Sequence, residues 1–213
     1  MVKTFRTIRS YLLARFYDRA MAGVEKRCLG VWRHELLHRA QGDLLEIGAG
    51  TGLNLQYYPL ERLRVWLSEP DRLMRRQLAR KTANLPDGRI QLKPWPAETI
   101  AMPDASFDTI VSTLVLCSVD DLAASLEEIF RLLRPGGRLL FLEHIIAEQP
   151  GLRRWQQRIE PFWSCCAGNC RLTRDTAAAI CAAGLEMEQL TEAPLCGAPA
   201  FVNRTIRGSA RKP

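Results

Sequence analysis

The chain lacks any unbroken apolar run of the ~18 to 20 residues that a helix needs to cross a bilayer, so no spanning helix is expected among its 213 residues. Its charged start, Met1-Val-Lys-Thr-Phe-Arg6, is not followed by the apolar core and small-residue cleavage site of a secretory leader, and secretion is not expected. It has no internal repeat, no low-complexity tract and no linker-like stretch, which argues against repeat arrays and tethered domains. It also lacks an even, regularly spaced cysteine set. The seven cysteines (Cys28, Cys117, Cys165, Cys166, Cys170, Cys181, Cys196) suit a reducing cytoplasm better than a disulfide framework. Cys165, Cys166 and Cys170 have no second ligand pair or nearby histidine, so no metal is expected there. His34 and His38 share a helical i, i+4 spacing, but without an accompanying acid motif they are read as solvated.

What is present suits one α/β domain. Apolar residues make up 47% of the chain, enough for a core, and charged residues 25%. The net charge of +7 gathers at the ends: Lys3, Arg6, Arg9, Arg15 and Arg19, then Arg204, Arg207, Arg211 and Lys212. These are read as a solvated basic surface or a weak contact with anionic lipid, and no nucleic-acid partner is expected.

Phe5, Ile8, Leu12, Phe16 and Ala20 keep helical spacing, and Val24 to His38 predicts a second helix. Strands follow at Leu44–Ile47, Arg64–Leu67, Arg89–Lys93 and Phe107–Leu116, the last β-branched and suited to a centre buried on both faces. Asp71, Asp120 and Thr173 are the expected caps of the three later helices. Pro135-Gly136-Gly137 turns into the strand Arg138–Glu143, and two further strands are expected at Leu185–Leu190 and Ala200–Arg207. The alternation of strand and helix predicts parallel βαβ units.

The chemistry is concentrated in Glu46-Ile47-Gly48-Ala49-Gly50-Thr51-Gly52. Glycines after a first strand let the backbone approach a ligand and open the next helix towards it. The dinucleotide pattern would place its last glycine at position 53. Here the third glycine comes one residue early, which with the acid Glu46 suits a ligand without a pyrophosphate. Glu69 ends the second strand, where a carboxylate accepts both ribose hydroxyls of an adenosine; otherwise it is a surface acid before Pro70.

These residues resemble motif I of the class I S-adenosylmethionine-dependent methyltransferases. Phe107-Asp108 and Leu132 to Gly137 resemble their later motifs, the likeness covering about residues 42 to 190. The resemblance implies a Rossmann-like fold, with a mostly parallel seven-stranded sheet and helices on both faces. It also implies S-adenosylmethionine as cofactor, with the glycine loop against its methionine part and Glu69 on its ribose. The expected cofactor set is Glu46, Gly48, Ala49, Gly50, Gly52, Asn54, Glu69, Pro70, Ala97, Glu98, Leu114 and Cys117. Glu98 is the adenine candidate, since Trp95-Pro96-Ala97 replaces the Gly-Asp-Ala of many relatives. Cys117 is equally at home in a core.

Thr113-Leu-Val-Leu-Cys-Ser-Val119, Glu143-His144, Trp155-Gln-Gln157, Glu160-Pro161-x-Trp163 and Leu172-Thr-Arg-Asp175 resemble the thiol S-methyltransferases of the methyltransferase-like seven family. Asn54 and Tyr58-Pro59 fit the same family. Its animal members carry an apolar N-terminal anchor, where this chain has a short amphipathic basic segment. They show Asp-Gly-Cys where this chain has Gly168-Asn169-Cys170. The resemblance implies methylation of a small apolar thiol. The rivals are an N-, O- or C-methyltransferase of a lipid amine or quinone precursor, and a cofactor-binding protein without turnover. A thiol near pKa ~8.5 is already partly ionised at neutral pH, so a strong base is optional. His144, just past the fifth strand, is the candidate catalytic base; the alternative is a structural histidine. The expected acceptor pocket is Tyr17, Trp155, Gln156 and Trp163, although the aromatic insert with Phe162 suits packing against the N-terminal helices equally well. Residues 1–40 are read as a helical lid and 41–213 as the methyltransferase domain.

Overall fold

The computed structural model describes residues 15–83, 85 and 88–213. The expected helix positions Phe5, Ile8 and Leu12 lie outside the described residues. Residues 15–24 are helical and run through a π-helical turn, Glu25–Leu29, into α1 (Gly30–Leu37). The order then is β1 (Gly42–Ile47), β2 (Leu63–Ser68), α2 (Arg72–Thr82), β3 (Ile90–Lys93), β4 (Phe107–Thr113), α3 (Leu122–Leu132), β5 (Leu133–His144), α4 (Pro150–Cys166), α5 (Thr176–Ala182), β6 (Glu186–Pro194) and β7 (Arg204–Arg211).

The strands form one seven-stranded sheet in the order β3-β2-β1-β4-β5-β7-β6. All neighbours are parallel except β7, which runs antiparallel to β5 and β6. Successive side chains of the central strands divide between two apolar clusters, as the two-residue period of a strand requires. Leu45, Ile47, Ile110 and Phe141 join Leu126 and Ile129 of α3 and Ile180 of α5. Leu44, Val111, Leu140 and Leu142 join Leu36 and Leu37 of α1 and Leu78 of α2. The order reverses between β1 and β4, and in such sheets ligands bind at the carboxyl ends beside that switch.

Several sequence expectations need correction. Asp71 caps α2 as expected, accepting the Leu73 and Met74 amides. Asp121 and not Asp120 caps α3: the helix begins at Leu122, and the Asp120 carboxylate accepts from Asn169 at 3.1 Å instead. Asp175 and not Thr173 caps α5, since the Thr173 amide and hydroxyl both donate to Glu160. The aromatic insert is the helix α4, started by Pro150 at its first turn, where a missing amide hydrogen costs nothing. The last strand lies later than expected, because Gly197 to Val202 forms turns. The basic C-terminal residues are not a free surface. Arg204 pairs with Glu148 and Glu192, Arg211 with Glu186, Arg207 lies over Trp32, and Lys212 donates to the Phe130 and Leu133 carbonyls. Among the described residues no helix is long and apolar enough to cross a membrane.

Candidate active site

The glycine loop leaves β1 through three left-handed residues, Gly48, Gly50 and Gly52. At Gly48 a Cβ would meet the Val115 side chain at 2.7 Å, so this glycine lets the loops after β1 and β4 close on each other. At Gly50 a Cβ would find nothing nearer than 3.9 Å. That is ordinary contact with Gly48 O and Met74 Sδ, so glycine is needed here for the left-handed φ of 57° rather than for space. Glu69, 5% exposed, accepts the Gly50 amide at 2.8 Å on one oxygen and the Asp71 amide at 2.7 Å on the other. Each oxygen keeps a lone pair for a hydroxyl. Burial pushes its pKa up, against these two hydrogen bonds. Ala49 and Ala97 are buried, Pro70 is exposed, and the Pro70 carbonyl accepts from Arg75 at 3.0 Å.

Beneath the loop lies a buried polar network. Glu46, 2% exposed, accepts from Asn54 and Tyr58, each at 2.8 Å. Burial pushes its carboxyl up to about 7, with Tyr58, Asn54 and Arg33 opposing. Arg33, buried on α1, donates to Asn54 at 2.7 Å and Thr113 at 2.9 Å, and pairs with Glu25 at 3.0 Å. Asn54 completes the set by donating to Thr113 at 2.9 Å. The sequence signalled Glu46 and Asn54 but not Arg33, whose partners lie 21 and 80 residues away.

The loop after β4 is held from both sides. Glu143, fully buried at the end of β5, accepts the Ser112 hydroxyl at 2.6 Å and the amides of Val115, Leu116 and Cys117 at 3.0–3.2 Å. Arg174 donates to the carbonyls of Leu116 and Val119 at 2.6 and 2.7 Å. Leu114 sits at φ 60°, a strained conformation for a leucine that these bonds over-determine. The loop thereby presents Cys117 with its amide on Glu143 and its carbonyl on the Arg171 amide at 2.8 Å.

Beside Cys117 the fold brings together two residues distant in sequence. Cys117, His144 and Cys170 place their sulfur and ring-nitrogen atoms within 4.8 Å of one another, and His144 Nδ1 is 3.4 Å from Cys170 Sγ. Cys170 is held below the usual thiol range by a hydrogen bond from Cys117, whose own thiol is pushed well above it. Cys117, Cys170, Leu172 and Val202 form a buried cluster with Trp163 and Phe201 packed against it. Of the expected pocket residues, Trp163 is here, edge-on to Phe201. Trp155 stacks on the same ring at 5.5 Å but is 52% exposed. Gln156 is buried and uses its amide to bind the Ala147 amide and the Phe201 carbonyl, at 2.8 and 3.0 Å. Cys165 and Cys166 are exposed, away from this group.

The N-terminal helix reaches the same end of the sheet. The Thr51 hydroxyl donates to Asp18, which also pairs with Lys81 at 2.9 Å. Tyr17, one residue earlier, lies within electrostatic range of Arg33 and Cys117, and burial pushes its hydroxyl up to about 12.

With this geometry in place, comparison with known proteins agrees with the residues. A methyltransferase-domain family matches residues 45–141. The human thiol S-methyltransferase TMT1A is 33% identical over 178 residues, 80% of this chain and 72% of that one. Human TMT1B is 40% identical over 139 residues, 62% of this chain and 55% of that one. The match thus spans little more than half the length of TMT1B. In fold, a chain from the complex of the Haloferax volcanii Trm112 methyltransferase activator with a methyltransferase superposes with a TM-score of 0.70. That likeness covers 96% of this chain and 97% of that one at 16% identity. A loop of three left-handed glycines, a buried carboxylate holding that loop from the next strand end and these relatives lead to one conclusion: the chain belongs to the class I S-adenosylmethionine-dependent methyltransferases, in the family of TMT1A and TMT1B.

Proposed function

We propose that the chain methylates the sulfur of a small, apolar thiol. The observation that carries this reading is the acceptor end of the site: a buried wall of Cys117, Cys170, Leu172, Val202 and Trp163 beside the strained loop after β4. Apolar and sulfur-lined surface suits a soft, weakly solvated nucleophile better than a charged amine or a quinol. The thiol S-methyltransferase activity of TMT1A and TMT1B supports the same class.

The cofactor, when bound, supplies an electrophilic methyl group on a sulfonium. This chain's residues do the rest. Gly48, Ala49, Gly50 and Gly52 shape the loop that receives it, Glu69 takes the ribose hydroxyls, and Glu46 with Asn54 supports the loop from below. Leu114 and Cys117 border it, and Glu98, tied to the start of α3, is the remaining adenine candidate. Trp163 and Tyr17 wall the acceptor, whose sulfur must lie in line behind the methyl carbon. Positioning and exclusion of water supply much of the rate. A thiolate needs little further activation, and His144, 3.4 Å from Cys170 Sγ, is the candidate to take a proton. Residues 1–40 serve as a lid, a reading supported by the Asp18 contacts. The two apolar clusters support helices on both faces of the sheet. A cytoplasmic setting belongs to the same reading, supported by seven cysteines that are all free.

The test is to incubate purified protein with methyl-labelled S-adenosylmethionine and a panel of alkyl and aryl thiols, amines, phenols and quinols. Labelled thioethers are expected. Label on an amine, phenol or quinol, with none on any thiol, would overturn the thiol assignment.

A further inference from the structure

Cys117, His144 and Cys170 come from three separate segments: the loop after β4, the last residue of β5 and the turn before α5. Two thiols and an imidazole converging on one point form the donor set of a Cys2His zinc site, which in catalytic centres keeps its fourth position open. The spacing fits. Zinc–sulfur and zinc–nitrogen bonds of ~2.3 and ~2.0 Å place tetrahedral ligands ~3.5 to 3.8 Å apart. Here the nitrogen–sulfur distance is 3.4 Å and all three ligand atoms lie within 4.8 Å, so rotamer adjustments of about an ångström close the set.

A second observation points to a missing group. His144 Nε2 is buried without a hydrogen-bond partner, and so is Trp163 Nε1. Orphaned buried polar atoms are costly, and two of them beside the Cys117 and Cys170 thiols mark a place where something binds. A tryptophan N–H only donates, and a sulfur ligand carrying negative charge is an acceptor suited to it.

We propose that Cys117, His144 and Cys170 bind one thiophilic divalent cation, zinc by its donor set, with its fourth position available to the acceptor sulfur. The site stands on geometry alone; its role in turnover rests on the thiol reading. In that role the acceptor thiol loses its proton to solvent on coordination. Its sulfur lone pair forms the bond to the methyl carbon as the sulfonium–methyl bond breaks, leaving a thioether and S-adenosylhomocysteine. The neutral thioether is a weaker ligand than the thiolate and leaves. His144 then acts as a ligand rather than a base.

The experiment is a Co2+ titration of the full-length protein, reduced without thiols, in the absence of cofactor and acceptor. Visible bands of tetrahedral cobalt and thiolate charge transfer should saturate at one ion per chain and be displaced by Zn2+. Cys117→Ser, Cys170→Ser and His144→Asn should each weaken binding at least tenfold, while Cys165→Ser with Cys166→Ser leaves it unchanged. Far-UV circular dichroism and thermal unfolding of the same variants show whether they are folded. Absence of saturable bands, or bands that survive in the folded triad variants, would overturn the site. Cobalt bound at the triad without methylation of any thiol would keep the site and remove the thiol reading. Full thiol turnover by chelator-stripped protein would keep that reading and refute the metal's role.

Discussion

Glu46 and Glu69 end neighbouring strands beside one glycine loop, and burial raises both carboxyls above the ordinary range. They perform different work. Glu69 has lone pairs to spare for a ligand, and Glu69→Ala should cost about 1.5 to 3 kcal/mol of cofactor affinity, roughly 10- to 150-fold, by calorimetry. Unchanged affinity would remove the ribose assignment. Glu46 is already satisfied by Tyr58 and Asn54, so its signature is in stability. Its folded pKa of about 7 exceeds the ordinary carboxyl value of 4.5, so between these values the native state holds the extra proton. That contribution is fully present below ~4.5 and is lost as pH rises through about 7. Urea unfolding of Glu46→Gln against the parent should show a difference changing by on the order of 3 kcal/mol between pH 4.5 and pH 8. A pH-independent difference would contradict the buried, protonated state. Gly48, Gly50 and Glu69 were legible in the sequence because loop and strand end act locally. Arg33 and the role of Glu143 were not, because a buried charge is explained only by partners that folding brings from elsewhere.

At the scale of elements, the loop after β4 depends on Glu143 more than on its own residues. Glu143→Ala would leave the amides of Val115, Leu116 and Cys117 without their acceptor, and should lower unfolding free energy by on the order of 3 kcal/mol or more. A variant with unchanged stability would show that the loop does not rely on it. The N-terminal helix docks through Asp18, and Asp18→Ala should raise the acceptor KM about fivefold, the effect of roughly 1 kcal/mol. Wild-type kinetics would argue against a lid. Helix caps show where reading by element succeeds and fails. Asp71 was legible because its cap bonds lie two and three residues ahead. Asp120 and Thr173 instead bind distant side chains, Asn169 and Glu160, and the caps fall one and two residues later. Trp155 to Trp163 offered aromatics without a period, so the helix α4 carrying them emerged only with the fold.

For the whole molecule, βαβ alternation and the early third glycine carried the fold and cofactor, whereas the group of Cys117, His144 and Cys170 came from tertiary assembly. Cys117, His144 and Cys170 are 27 and 26 residues apart, and no sequence period links them. That sulfur-rich end is what the thiol assignment predicts. The most direct test is a one-pot competition at neutral pH between a small apolar thiol and a phenol of matched shape, with labelled S-adenosylmethionine and product identification by mass. Ordinary pKa values of ~8.5 and ~10 make the thiolate roughly thirtyfold more abundant than the phenolate. Thioether should therefore exceed aryl ether by at least that ratio. Predominant aryl ether, or equal labelling of both, would contradict a site built for sulfur.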